Sequence, residues 1–415
     1  MKISFKTFHI ILLLFLAIFT LMSSAEARDK QRKAKIKIVS YNLYVGADVF
    51  RVFSPSPCGV PQAVNDVHNI IQATNFPERA EAIADQIQMQ EPHVIGLQEV
   101  SLLRTQFPGN SLNPDGSGID FLGDFPADPR FVFKADATDV SYDYLEILMD
   151  ALSDRGLDYS VVWLASTINA DTEFPAIEFD EFCEALGPPT DVRLTDRDFM
   201  LVRSDLAVNL AISKSFEVNT PIELPTFIPT PDGLKEAVYT TEFTRGWGAL
   251  NVTIKDHQFS VLNTHLEVGD SSVPPDEGLN LVQYAQALEV GAASLSLPQP
   301  RFVIGDINSP PQSFITDTRP AYFLLTSEFG LTDLWDIRHA PNPDGGYTCC
   351  QDELLDNADS VLDERIDVIF ADFGPVLVPD KAKFYLLGDQ PGDTTPSGLW
   401  PSDHAGVASK VEFER

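Results

Sequence analysis

Basic residues are scarce. The 415-residue chain carries 29 Lys+Arg against 61 Asp+Glu, a formal net charge of -32, which excludes a nucleic-acid binder that works by blanket basic charge. It does not exclude an enzyme that handles phosphate through bound cations, because a metal reverses the sign of the local field. Cysteine is also rare, with four residues and no C-x-x-C pair. The vicinal Cys349-Cys350 has no His cluster beside it in the chain, which argues against zinc there. The sequence lacks G-x-S-x-G and any glycine-rich phosphate loop, so serine-elbow and P-loop chemistry are not supported. No repeat and no Pro/Gly/Ser-rich linker divides the chain, and 44% hydrophobic residues suffice to fill a core.

One long apolar run is present, Ile10 to Met22, preceded by Lys2 and Lys6 and followed by Ala25-Glu26-Ala27. It falls short of the roughly 20 apolar residues a spanning helix needs, and its small-x-small ending supplies a cleavage site. Residues 1–27 therefore read as a secretory signal peptide, with an uncleaved anchor as the alternative. The expectation is a secreted or extracytoplasmic mature chain beginning near Arg28, with residues 28–415 forming one domain. Loss of Lys2, Lys6 and Glu26 removes a net +1 and leaves -33. In an oxidising compartment an even cysteine count favours disulfides. The preferred pairing is Cys58 with Cys183, both in loop-like stretches, against the alternative of four free thiols.

Strands are expected at Lys35 to Tyr41, Val94 to Gln98, Phe199 to Val202, Ala249 to Ile254, Phe259 to Thr264, Arg301 to Gly305, Ile366 to Phe370 and Gly406 to Phe413. Most are β-branched or aromatic, and several are apolar throughout, as strands buried on both faces are. Helices intervene: Asn75 or Phe76 caps one in which Ala80, Ile83, Ala84 and Ile87 share a face, Ser141 to Asp154 is a second, and Leu279 to Ser294 a third. This alternation implies a mixed α/β domain with sheets between helical layers. The stretches near 51–74, 107–140, 165–196, 219–240, 268–278 and 338–362 read as long loops elaborating one rim.

Polar residues stand at the strand ends. Asn42 follows Ile-Val-Ser-Tyr, Glu99 follows Val-Ile-Gly-Leu-Gln, His265 follows Val-Leu-Asn-Thr, and Asp306 and Asn308 follow Phe-Val-Ile-Gly. Asp367 lies within Arg-Ile-Asp-Val-Ile-Phe, and Asp403-His404 precedes the last strand. Together they contain what phosphodiester hydrolysis requires. Glu99 is a hard oxygen donor for Mg²⁺ or Mn²⁺, two histidines can divide acid and base roles, and Asn42 and Asn308 can serve phosphate, water or metal.

The ordered set Ser-Tyr-Asn42-Leu, Leu-Gln-Glu99-Val, Asn-Thr-His265-Leu, Gly-Asp306-Ile-Asn308, Arg-Ile-Asp367 and Ser-Asp403-His404-Ala-Gly-Val resembles the endonuclease/exonuclease/phosphatase superfamily, from about Ile36 to Phe413. The resemblance implies a four-layer α/β/β/α sandwich of two packed mixed sheets with the site at one edge. It implies Glu99 as principal metal ligand with Asn42 beside it and Asp403 near the metal, and Mg²⁺ as cofactor with Mn²⁺ or Ca²⁺ as alternatives. Asp306 and Asn308 would orient water and phosphate, His404 would be the general base oriented by Asp367, and His265 would contact phosphate or protonate the leaving group. Arg245, in Arg-Gly-Trp-Gly, could present a guanidinium to phosphate, though a loop before a strand explains it equally well, and Asp198 takes no catalytic role.

His68, His93, His257 and His339 lack such contexts and read as structural or surface residues. The Asp-rich Gln351 to Glu364 lacks the spacing of a calcium loop and reads as a charged loop. The expected activity is a secreted, metal-dependent phosphodiester hydrolase acting on nucleic acid or a phospholipid head group, with no stable protein partner implied. For the lipid case Phe227-Ile228 and Leu399-Trp400 are candidate membrane-docking loops, against ordinary packing. A phosphomonoesterase would want more Lys and Arg in the loops, and a non-catalytic binding protein would need neither two histidines nor a carboxylate to orient one of them.

Overall fold

The apolar β-branched runs build two six-stranded sheets whose inner faces meet. In the computed structural model, which describes residues 33–53, 56–109, 136–162, 168–230, 233–255, 257–269, 278–311, 321–339, 345–374 and 382–414, the first sheet has the order β17 (Ala382–Leu387), β18 (Gly406–Glu414), β1 (Lys33–Asn42), β2 (Val94–Gln98), β8 (Phe199–Arg203), β5 (Tyr159–Val162). The second runs β15 (Thr332–Asp333), β16 (Asp367–Asp372), β14 (Arg301–Asp306), β13 (His257–His265), β12 (Gly246–Ile254), β9 (Ala207–Ser215). Both are mixed: β1 pairs parallel to β2 and antiparallel to β18, and β13 pairs parallel to β14. All eight expected strands form. The leader read in residues 1–27 lies outside the described residues, among which no helix is long and apolar enough to cross a membrane.

Ile38, Val94 and Met200 of the first sheet pack against Val261, Phe302 and Ile369 of the second. Within this apolar layer is one polar link: Gln98 Nε2 donates to Asn263 Oδ1 at 2.7 Å, and Asn263 Nδ2 donates to the carbonyls of Leu97 and Phe199. The link depends on Gly96, where a Cβ would lie 2.4 Å from Asn263 Oδ1. Buried amides satisfied in this way fix one arrangement of the sheets, since any slip strands them without partners.

Helices cover the outer faces. On the first sheet, α2 (Phe76–Gln90) and α3 (Tyr144–Asp154) pack through Phe76, Ile83, Ile87, Tyr144 and Leu148. Asn75 caps α2 with φ 42°, Pro77 sits in its first turn, and the apolar face has the expected spacing. α3 starts later than the expected Ser141, because β4 (Asp139–Asp143) takes the preceding residues and the Asp143 carboxylate accepts from the Leu145 N–H at 3.1 Å. On the second sheet α4 (Gly278–Leu295) covers Leu262, Val303 and Phe370. The result is the expected four-layer α/β/β/α sandwich.

Three stretches read as loops carry regular structure instead. Segment 51–74 contains α1 (Val60–Ala73), whose Val60, Val64, Val67 and Ile71 make an apolar stripe that the flanking prolines and polar residues obscure. Segment 165–196 contributes β6 (Ile168–Ala176) and most of β7 (Thr190–Arg197), which join β3 (Leu102–Gln106) and β4 in an accessory sheet of order β4-β3-β7-β6, with α1 packed on it. Segment 219–240 is a two-stranded ribbon, β10 (Thr220–Thr230) with β11 (Gly233–Phe243); a strand that pairs on one edge tolerates the prolines at 221, 225 and 229. Phe227-Ile228 therefore lies in a strand of this ribbon and not in a loop. Trp400 is not a docking residue either: it is fully buried beside Tyr44 and Leu355, and its indole N–H donates to the Asn357 carbonyl at 2.8 Å.

Cys58, just before α1, is disulfide-bonded to Cys183 in the β6–β7 connection, as expected, and Cys349 is paired with Cys350. Deeper in the fold, Arg79 of α2 is completely buried. Its guanidinium donates to the carbonyls of Thr74 (2.8 Å), Leu43 (2.7 Å), Tyr44 (3.2 Å) and Pro401 (3.0 Å), and lies 5.0 Å from the Phe76 ring centroid.

Replacing Arg79 with Leu leaves four carbonyls without that donor and is expected to lower the free energy of unfolding by about 3–5 kcal/mol. Arg79→Lys should recover only part of it, since an ammonium has three donors and no planar fork. Urea denaturation midpoints at constant slope check both; an Arg79→Leu loss below about 1 kcal/mol contradicts the assignment.

Candidate active site

Sheet register assembles the site. In the second sheet His265 is the cross-strand partner of Asp306, and Asp306 of Asp367, so the ends of β13, β14 and β16 place three ionisable side chains side by side. In the first sheet Asn42 ends β1 opposite Gln98, and Glu99 follows in the left-handed region at φ 55°, which turns its carboxylate back over the strand ends. The chain returns between these edges through Asp403-His404, immediately before β18.

Asn42 joins the two halves. Its Nδ2 donates to Glu99 Oε1 at 3.0 Å and to Asp306 Oδ2 at 3.2 Å, while its Oδ1 accepts from the Tyr44 N–H at 3.0 Å. The other Glu99 oxygen accepts from the Val45 N–H at 2.8 Å. His404 Nδ1 lies 2.8 Å from Asp367 Oδ2, a contact that fixes the ring and leaves Nε2 facing inward. That Nε2 is 4.0 Å from Asp306 Oδ2 and 3.9 Å from Asp403 Oδ1. His265 Nε2 reaches the same Asp306 oxygen at 3.5 Å. The two imidazoles therefore address one carboxylate oxygen, His265 from β13 and His404 from the segment before β18.

Asn308 has φ 49°, and its N–H donates to Asp306 Oδ1 at 2.8 Å. One hydrogen of its side-chain amide goes to the Leu266 carbonyl at 2.9 Å. Arg245, buried, donates to the same Leu266 carbonyl at 2.9 Å and faces Glu267 at 3.8 Å. It shares a cavity lining with Glu99 and His265. All nine candidate residues thus converge on one edge of the sandwich.

Asp198, given no role from the sequence, is buried with Oδ1 3.9 Å from His265 Nδ1. Its position between β7 and β8 follows from pairings of the accessory sheet that no strand motif announced. The vicinal cysteines also look different in space: His404 Nε2 is 4.0 Å from Cys350 Sγ although 54 residues separate them. The Gln351–Glu364 segment is a charged loop organised by Asn357, whose Nδ2 donates to Gln351 Oε1 at 2.9 Å.

The electrostatics are those of an acidic cluster short of positive charge. Burial pushes the Asp306 carboxyl up to about 7, with Asp367 adding to the effect and His404 opposing it. Burial likewise raises Asp403 to about 7, where Glu99 adds to the shift and His404 and Arg79 oppose it. For His404 burial acts downward, but the carboxylates of Asp367 and Asp403 outweigh it and hold the imidazole well above its usual range. His265 is pushed well below, by burial first and then by Arg245 and His404. Asp367 Oδ1 is buried with no hydrogen-bond partner among the described residues, and Asp306, Asp367 and His404 place ligand atoms within 4.8 Å of one another. Hard carboxylate oxygens packed this closely fit a divalent cation.

The model of the endonuclease/exonuclease/phosphatase family matches residues 39–404. Among curated proteins none matches. Similar solved structures include an endonuclease/exonuclease/phosphatase family protein from Bacteroides thetaiotaomicron (14% identity, 92% of this chain and 99% of that one, TM-score 0.47). Two others are D. rerio TDP2 complexed with single-strand DNA product (15%, 91% and 99%, 0.44) and the human Nocturnin catalytic domain with bound sulfate (15%, 91% and 93%, 0.44).

A raised carboxyl pKa means the folded state keeps a proton that the unfolded state releases, so the stability contributed by Asp403 is lost as pH rises from about 4 to about 7. Asp403→Asn cannot ionise and should gain thermal stability relative to the parent across that window. Adding Mg²⁺ or Mn²⁺ at pH 7.5 should raise the melting temperature of the parent and raise that of Glu99→Gln far less. Melting curves over pH with and without cation check this; parallel curves for Asp403→Asn and the parent would contradict it.

Proposed function

Because the chain belongs to the endonuclease/exonuclease/phosphatase family, and is a metal-dependent phosphoric ester hydrolase on that ground, we propose that it hydrolyses phosphodiesters by direct attack of water, outside the cytoplasm after removal of residues 1–27. The observation that carries the reading is the His404–Asp367 pair at 2.8 Å, aimed at the same small space as Glu99, Asn42 and Asp306. Binding alone requires no such oriented base.

Glu99, with Asn42 and Asp403 beside it, would hold a divalent cation, which when bound would supply positive charge to the phosphoryl oxygens; Mg²⁺ is the proposed ion, with Mn²⁺ or Ca²⁺ as substitutes. With a divalent cation neutralising the surrounding carboxylates, which otherwise hold a proton on the ring, His404 Nε2 would be free to accept the proton of the attacking water, its ring held by Asp367. Asp306 orients that water, and is itself fixed by the Asn308 N–H and the Asn42 amide. His265, seated beyond Asp306 and backed by Asp198, contacts the phosphate or donates toward the leaving oxygen. Its lowered pKa makes it a neutral hydrogen-bond donor over most of the working range.

A diester is favoured over a monoester because Arg245 is the one Arg or Lys of the candidate set, and it already faces Glu267; a dianion and neighbouring phosphates call for more. The mature chain's net charge, -32 less the net +1 of residues 1–27, or -33, also repels long polyanions at a distance, which tilts the choice from duplex nucleic acid toward a small or lipid-derived diester.

Hydrolysis of bis-p-nitrophenyl phosphate should require Mg²⁺ or Mn²⁺, stop on chelation, and fall about 10²–10⁴-fold in His404→Ala. Plasmid DNA, RNA and sphingomyelin vesicles in the same assay identify the natural class. Chelator-insensitive turnover, or full activity in His404→Ala, overturns the mechanism.

A further inference from the structure

The accessory layer encloses space that the sandwich alone does not need. Between α1, the turn at Val49–Phe53 and strands β3, β6 and β7 lies a cavity of about 120 Å³. Its walls are Val64, Val67, Leu103, Phe174 and Leu194, apolar side chains from four separate elements. Glu99, His265 and Arg245 also line it. One chamber thus has a mostly hydrocarbon lining that it shares with reacting groups. At its rim the exposed ring of Phe50 stands 5.5 Å from that of Phe243, the last residue of β11.

We propose that this cavity is the seat of an ester substituent of the substrate, and that the substituent is a single hydrocarbon chain. The inference rests on the phosphodiesterase reading and narrows it. A phosphoryl group at Glu99 and His404 that also meets His265 directs one of its substituents past His265 into the chamber. A nucleoside is a poor occupant, since its base carries several hydrogen-bonding groups, whereas most of the lining is apolar and its polar side chains outside the reacting groups are His68, Thr172 and Asp196; buried polar groups without partners lose affinity. An alkyl chain needs no partners and gains from every methylene removed from water. The volume is close to that of an apolar cavity that holds benzene, so about six carbons fill it. A two-chain lipid exceeds it, and a soluble ester with one short chain fits.

The test is calorimetric binding of methyl, butyl, hexyl and octyl phosphate, and of thymidine 5′-monophosphate, to the Mg²⁺-loaded protein, with turnover of bis-p-nitrophenyl phosphate measured in parallel. Affinity should rise about fourfold per methylene up to hexyl phosphate and then level. Leu194→Trp and Val49→Trp, at partly buried wall positions, should flatten the series while leaving methyl phosphate affinity unchanged; melting curves report whether each variant is folded, and the parent series stands without them. Binding that ignores chain length, or a nucleotide that binds more tightly than hexyl phosphate, overturns the inference and leaves the hydrolase reading intact. No binding by any member together with no turnover overturns both.

Discussion

The buried guanidinium of Arg79 holds the site in one piece. Leu43 and Tyr44, whose carbonyls it binds, directly follow Asn42, and Pro401 precedes the Ser402-Asp403-His404 turn. Two segments more than 300 residues apart in the chain are thereby tied to one rigid side chain on α2. The arrangement is also electrostatic, because the charge beneath these loops opposes the upward shift of Asp403. Neutral donors could satisfy the same carbonyls, but they would leave the acidic cluster above them less compensated.

On that base the sheets act as a ruler. Strand partners bring His265, Asp306 and Asp367 into line, and the Asn42 amide bridges carboxylates from both sheets. Residues that repel one another are kept adjacent because the strands carrying them are locked by the core and by the Gln98–Asn263 link. The fold stores unfavourable carboxylate proximity at one edge, and a dication is the simplest group that relieves it.

The parts of this plan that depend on short-range pattern were legible in the sequence. The eight central strands are apolar and β-rich, and their polar last residues mark the site, so Glu99, His265, Asp306 and His404 stood out before any contact was known. Asp198 did not, because its meaning comes from a contact with His265 across the fold. The accessory layer was hidden for other reasons. The stripe of α1 lies behind a Gly-x-Pro start, β6 and β7 alternate charged and apolar residues, and β10 contains prolines that normally argue against a strand. Trp400, at the end of a Gly-Leu-Trp turn, looked like a surface anchor and proved to be an interior one, since only tertiary structure brings Tyr44 and Leu355 to it.

The Cys58–Cys183 disulfide clamps α1 to the β6–β7 connection without involving either central sheet. The chemistry resides in the sandwich, and the chamber walls reside in a separately fastened layer that meets it at Glu99, His265 and Arg245. Such a division lets the walls be rebuilt, widened or filled by mutation while the reacting groups keep their positions. In evolutionary terms the chain resembles a fixed tool with an exchangeable holder.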